Sequence, residues 1–304
     1  MSKKSNQKVT FKNWVSGARL RTLPLAVAPV AVGYGIASVM QSQKLGLALL
    51  ALAVSVFLQI GVNYANDYSD GIRGTDDFRV GPMRLTGSGA VEPKKVRNAA
   101  FAFFALAALA GLAIVVLTGL WWLVAVGLAC IVAAWFYTGG KRPYGYAGLG
   151  EIFVFVFFGL VATYGTAAIQ VQHFFTSIDG LVWSTGAAVS IGLFASAVLM
   201  VNNIRDIDTD KKAGKRTLAA RVGRKWAKAL YLAFIWLPMF LLFPYVLVFP
   251  LTAFAYFVLL MILPLTLIVI TAKSSREYIL ALKLTSYSTL AYALLLAYGL
   301  IVIG

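Results

Sequence analysis

Seven of the 11 acidic residues in this 304-residue chain fall in two short stretches. The first reads Asn66-Asp67-Tyr68-Ser69-Asp70-Gly71-Ile72-Arg73-Gly74-Thr75-Asp76-Asp77. The second reads Asn202-Asn203-Ile204-Arg205-Asp206-Ile207-Asp208-Thr209-Asp210. If helix continues through them, Asn66 and Asp70 share a face at i,i+4, and Asp67 is a near neighbour of Asp70. Asp206 and Asp210 stand in the same relation, and Asn202 extends their stripe by one turn. Carboxylates at this spacing repel one another, and the C-terminal end of a helix dipole adds to the cost. A hard divalent cation with oxygen ligands offsets both, and Mg²⁺ commonly joins one or two carboxylates to phosphate oxygens.

Bases stand beside the acids. Arg73, Arg79 and Arg84 follow the first stretch; Arg205 lies inside the second, with Lys211, Lys212, Lys215 and Arg216 after it. Lys141 and Arg142 occupy a third loop. Such a mixture fits a polyphosphate held partly through metal and partly by Lys and Arg. The first stretch is not an EF-hand loop, because its glycine and terminal Glu are misplaced, and the glycines around it lack the Gly-Lys-Ser/Thr ending of a P-loop.

The elements that must position these residues are membrane helices. The chain is 60% hydrophobic and 12% charged, against about 25% charged in a soluble domain. Residues 98–140 and 229–272 contain no Lys, Arg, Asp or Glu, and Asp179 is the only charge between Ile152 and Ile204. One helical crossing needs roughly 20 apolar residues, and lipid offers backbone groups no partner outside a helix. The blocks divide into nine expected spans, at 21–40, 46–66, 97–117, 120–138, 150–171, 183–202, 229–248, 250–271 and 284–303. Gly119 separates the third from the fourth, and Pro244 and Pro250 mark the turn between the seventh and eighth.

Lys44 is the only Lys or Arg in the odd-numbered interhelical loops; the rest of the 27 lie in the N-terminal tail, in the even loops, or, as Arg21 and Arg97, at the first residue of a span that adjoins them. By the positive-inside rule the N-terminus and both Asp-rich loops are expected in the cytoplasm. The net charge of +16 then reads as topology and contact with anionic lipid. No soluble basic surface exists for nucleic acid. The expected division is a cytoplasmic tail, 1–20, and one transmembrane domain, 21–304. The polar, basic start followed by a full-length span does not resemble a cleaved signal peptide. Cys130 is the only cysteine and excludes an intramolecular disulfide framework, while His173 reads as an interfacial residue. Glu151 opens a long apolar span, where it suits either the helix dipole or the site.

Further stretches carry a resemblance. Arg19-Leu20-Arg21-Thr22-Leu23-Pro24, the first Asp-rich stretch, Tyr137-Thr138-Gly139-Gly140-Lys141-Arg142-Pro143-Tyr144-Gly145-Tyr146 with Gly150-Glu151, and the second Asp-rich stretch through Gly214-Lys215-Arg216-Thr217-Leu218 follow in order. Together they resemble the UbiA superfamily of intramembrane prenyltransferases over nearly the whole chain. The likeness is greatest to the branch that prenylates 1,4-dihydroxy-2-naphthoate in menaquinone biosynthesis. Gly74 stands where the wider superfamily often has its last acid, and Asp76 is taken in its place ahead of Asp77.

The resemblance implies an all-α integral membrane bundle of nine helices around a central cavity open to lipid, N-terminus cytoplasmic, in a bacterial plasma membrane. It implies transfer of a polyprenyl group from polyprenyl diphosphate to 1,4-dihydroxy-2-naphthoate, with loss of CO₂ and diphosphate, giving demethylmenaquinone. Two Mg²⁺ ions would bridge the diphosphate, with Asn66, Asp67, Asp70, Asp76, Asn202, Asp206 and Asp210 as the expected metal set. Lys141, Arg142, Asp70 and Asp206 are the expected catalytic residues. Arg73, Lys141, Arg142, Arg205 and Lys215 are expected on the diphosphate. Tyr64, Tyr68, Tyr137, Tyr144 and Tyr146 are candidates to meet the acceptor or an allylic cation. The same fold with 4-hydroxybenzoate or homogentisate as acceptor stays open. Transport is disfavoured, because transporters place ionisable groups or broken helices near the midplane, and here the midplanes are nearly free of charge.

Overall fold

A computed structural model describes residues 10–75, 84–171 and 174–303. Asp76, Asp77, Arg79 and His173 lie outside the described residues. The described chain is helical: α1 (Phe11–Gly17), α2 (Pro24–Val39), α3 (Leu45–Ile72), α4 (Pro93–Thr118), α5 (Leu123–Phe136), α6 (Gly150–Ala168), α7 (Ile178–Lys212), α8 (Leu218–Val248), α9 (Pro250–Thr271) and α10 (Ser275–Ile303). Among the described residues seven helices are long and apolar enough to cross a membrane, and an eighth span results if α1 and α2, bent by 48°, act together. Helix α5, with 14 residues, is apolar but shorter.

The breaks follow local chemistry. Gly119 ends α4 in the left-handed conformation (φ +72°), where glycine has no Cβ to clash. Phe249, between Pro244 and Pro250, leaves helical geometry and separates α8 from α9. Arg19 adopts φ +56°, ψ +57° at the break between α1 and α2. The expected N-terminal tail is therefore partly ordered: α1 docks on α3 through Tyr64 Oη, which donates to the Trp14 carbonyl (2.8 Å), and Asn63, which donates to Ala18 O (3.0 Å).

Helix α7 is the most deeply buried of the long helices and packs on α2, α6, α8 and α10, while α10 closes the bundle against α2 and α9. Its inward side carries small residues such as Ser184, Ala187, Ala188, Gly192 and Ala195. Small residues let membrane helices approach closely. A Cβ placed on Gly159 of α6 would sit 2.5 Å from the Gly192 Cα, so these backbones are in contact. Just there α6 widens into π-helical turns over Phe155–Val161, a departure that often marks a functional segment. The outward faces are Leu, Val and Phe, for example Leu109, Val116, Phe240 and Leu260. A helix apolar on every side belongs in lipid.

Candidate functional site

Residues of α2 to α7, with Leu282 of α10, line a cavity of about 390 Å³. Apolar side chains line most of it, among them Leu25, Val54, Leu58, Ile114, Val126, Phe157 and Val161. Its polar lining comes largely from the ends of α3 and α7 and the segments that follow: Asn63, Asn66, Asp70, Thr75, Arg84, Asn202, Asp206, Asp210 and Lys215. The two Asp-rich stretches, far apart in sequence, meet on one cavity because α3 and α7 both continue as helix past their apolar segments. Their i,i+4 faces then look inward, as the spacing required.

Each carboxylate there has a partner. Asp70 accepts from Lys215 Nζ (3.1 Å) and from the Tyr146 hydroxyl, and Arg84 lies 3.7 Å away. Lys215 also stands 4.5 Å from the centre of the Tyr146 ring, a cation–π contact. Burial and the Asp70 carboxylate hold the Tyr146 phenol above its ordinary pKa, so it stays protonated and donating. Asp206 is gripped by Arg205 through Nε (2.7 Å) and Nη2 (2.6 Å), and Nη2 also reaches Asn202 Oδ1 (2.8 Å). Asp210 accepts from Thr217 Oγ1 (3.2 Å), and Asn66 from Thr138 Oγ1 (2.8 Å). Asp208 turns outward to an exposed pair with Arg224.

The structure separates residues that the sequence grouped together. Asp67 is 1% exposed, and its two oxygens accept the backbone N–H groups of Leu85 (2.9 Å) and Thr86 (2.8 Å). It does not line the cavity, so the expected ligand is occupied in holding a loop. Lys141 and Arg142 are exposed and also stand off the cavity. The preceding Gly140 (φ +73°) turns the chain, and the Arg73 guanidinium binds the Thr138 and Gly140 carbonyls. Arg73 thus fastens the central loop and lies over the Tyr146 ring at 5.4 Å. Tyr64 is committed to α1, and Tyr68 stacks on Trp135; neither lines the cavity. Tyr137, Tyr144 and Tyr146 do.

Sequence reasoning gave no role to the cavity residues Asn63 and Arg19, and named Arg84 only as one of the bases beside the first stretch. Asn63 continues the Asn66–Asp70 stripe by one helical step, a signal that was legible. Arg19 and Arg84 reach the cavity from a left-handed turn and a loop respectively, and spacing does not show where such side chains point. Glu151 is buried, with Oε1 accepting from Asn203 Nδ2 (2.9 Å), which ties α6 to α7.

Among the described residues no three acids converge on a single point as a protein-only metal cage would require. The donor set of carboxylate and amide oxygens nevertheless suits a hard cation, which keeps positions for water and substrate phosphate.

The sequence pattern of the UbiA prenyltransferase family matches residues 26–287. The chain belongs to that family. Two relatives, both 1,4-dihydroxy-2-naphthoate octaprenyltransferases, extend the match. The Mycobacterium tuberculosis protein is 53% identical over 73% of this chain and 74% of its own length. The Escherichia coli protein is 38% identical over 69% and 68%. A UbiA homolog from Archaeoglobus fulgidus, solved with GPP and Mg²⁺, shares the fold with a TM-score of 0.66 at 16% identity, covering 95% of this chain and 99% of that one. The UbiA bundle is therefore the frame of this multi-pass membrane protein.

Proposed function

We propose that this protein transfers a polyprenyl group from polyprenyl diphosphate to 1,4-dihydroxy-2-naphthoate, with release of diphosphate and CO₂, in menaquinone biosynthesis. The observation that carries the reading is the convergence of both Asp-rich stretches on one apolar cavity. Identity to naphthoate octaprenyltransferases, at 53% and 38%, supports the acceptor and a long-chain donor.

Asn66, Asp70, Asn202, Asp206 and Asp210 would hold Mg²⁺, with Asp76 a further candidate. When bound, the metal withdraws charge from the departing diphosphate. Lys215 and Arg84, already on Asp70, are placed to contact phosphate oxygens, and their charge stabilises the leaving group as the C–O bond breaks. Tyr137, Tyr144, Phe153 and Phe157 line the cavity and offer ring faces to the positive charge that develops on the allylic carbon. The apolar walls receive the prenyl chain, whose CH₂ groups each cost about 0.8 kcal/mol to hold in water.

Nine crossings, with the N-terminus and the Asp-rich loops in the cytoplasm of a bacterial cell, complete the proposal. The long apolar helices, the bent α1–α2 pair, the short α5 and the one-sided distribution of Lys and Arg support it.

The test is transfer of labelled polyprenyl diphosphate by purified protein to 1,4-dihydroxy-2-naphthoate or 4-hydroxybenzoate, with and without Mg²⁺. Mg²⁺-dependent, CO₂-releasing transfer to the naphthoate alone, lost in Asp70→Asn and Asp206→Asn, is expected. Transfer to the benzoate alone would overturn the acceptor; no transfer by folded protein to either would overturn the enzyme reading.

A further inference from the structure

Asp67 sits in the middle of the first Asp-rich stretch, yet its geometry is that of a latch. Both carboxylate oxygens are used on consecutive backbone amides, those of Leu85 and Thr86. A carboxylate that accepts two N–H groups makes charge-assisted bonds, stronger than neutral ones. The latched segment is tightly seated: Leu85 is buried, and a Cβ on Gly71 would meet Thr86 Cβ at 2.5 Å. Arg84 immediately precedes the latched pair, lines the cavity and lies 3.7 Å from Asp70. The backbone from which Arg84 projects is thus fixed by Asp67, one turn before Asp70 on the same helix.

We infer that Asp67 is a positioning residue: by clamping the Leu85 and Thr86 amides to α3, it holds Arg84 at the diphosphate-binding mouth of the cavity, and it is not itself a metal ligand. This rests on the proposed prenyl-transfer reading for its catalytic consequence, but the clamp is a property of the folded chain alone.

The experiment compares Asp67→Asn, Asp67→Glu, Arg84→Ala and Asp67→Asn/Arg84→Ala with the unaltered protein. Hydrogen exchange at the Leu85 and Thr86 amides reads the clamp without any turnover. Steady-state kinetics read KM for polyprenyl diphosphate, kcat and the Mg²⁺ concentration giving half-maximal rate. Asp67→Asn keeps one acceptor but turns an N–H₂ toward the other amide. Exchange at those amides is expected to rise about tenfold or more, the size of one lost bond to a charged group. Donor KM is expected to rise with Arg84→Ala-like magnitude, and the Mg²⁺ requirement to stay within about twofold. The double variant is expected to be no worse than Arg84→Ala, because residues acting through one another are non-additive.

Unchanged amide exchange, a large shift in Mg²⁺ requirement, or additive losses in the double variant would each overturn the inference. If Asp67→Asn does not fold, Asp67→Glu, which retains the charge at a longer reach, takes its place in the exchange comparison: faster exchange supports the clamp and unchanged exchange overturns it. Absence of prenyl transfer by the unaltered protein would sink the functional reading and leave the exchange result to decide the clamp.

Discussion

Replacing Arg205 with Met should destabilise the protein more than a typical single substitution. Arg205 and Asp206 are 8% and 7% exposed, so water screens their interaction little. The guanidinium donates two bonds to the carboxylate, at 2.6 and 2.7 Å, and one to Asn202 at 2.8 Å. Removing one partner of a buried pair takes its charge away from the other and costs about 3–5 kcal/mol. At about 2 °C per kcal/mol for a chain of this size, the melting temperature should fall by about 6–10 °C. The paired variant Arg205→Met/Asp206→Leu removes both charges and should recover most of that loss, since an apolar pair often replaces a buried ion pair without penalty. It should still be inactive, having lost a carboxylate assigned to metal. Unfolding followed by tryptophan fluorescence in detergent, beside prenyl transfer, separates the two effects. An Arg205→Met protein that melts within about 1 °C of the parent would refute the view that Arg205 compensates Asp206. So would a double variant whose loss is the sum of the single ones.

Other outcomes follow from the same geometry. Lys215→Ala should raise KM for the diphosphate donor about tenfold or more, whereas Lys141→Ala and Arg142→Ala, on exposed side chains, should leave it nearly unchanged in the same assay. Gly299→Ala should destabilise, because its Cβ would meet the Thr252 nitrogen at 2.4 Å and overpacking costs about 1–3 kcal/mol. Gly46→Ala, with nothing within 4 Å, should be neutral or stabilise by up to about 1 kcal/mol in thermal unfolding. The Tyr146 phenol is held above its ordinary value of 10.0 by burial and Asp70, so the folded state keeps a proton that the unfolded chain releases. Its contribution is present below about pH 10 and is lost as pH rises toward the higher folded value. Tyr146→Phe should therefore weaken the alkaline fall in stability measured by unfolding above about pH 10.

Much of this protein is written in its composition. Charge-free blocks of about the bilayer's thickness leave helix as the form for each crossing, and Gly119 and the Pro244–Pro250 turn divide the blocks where the chain divides. The i,i+4 stripes of Asn66–Asp70 and Asp206–Asp210 also follow from sequence, because a helix repeats every 3.6 residues wherever it is placed. The family resemblance, carried by motifs in order, agreed with the match over residues 26–287.

Tertiary structure decided what each charged group faces. Spacing makes Asp67 and Asp70 neighbours, yet Asp70 meets Lys215, 145 residues away, while Asp67 meets the Leu85 and Thr86 amides. Lys141 and Arg142 stand in a motif that resembles a site signature, but a positive-φ glycine before them and the Arg73 clasp on Thr138 and Gly140 leave them outside the cavity. Arg84, which spacing gave no particular target, lies 3.7 Å from Asp70 on the cavity wall. The π-helical widening of α6 opposite Gly192 has no periodic signature either. For the loop residues the physical reason is shared. Helical periodicity fixes directions only within one element, whereas a long side chain on a loop is aimed by the backbone contacts that hold the loop, and those contacts exist only once the helices have packed.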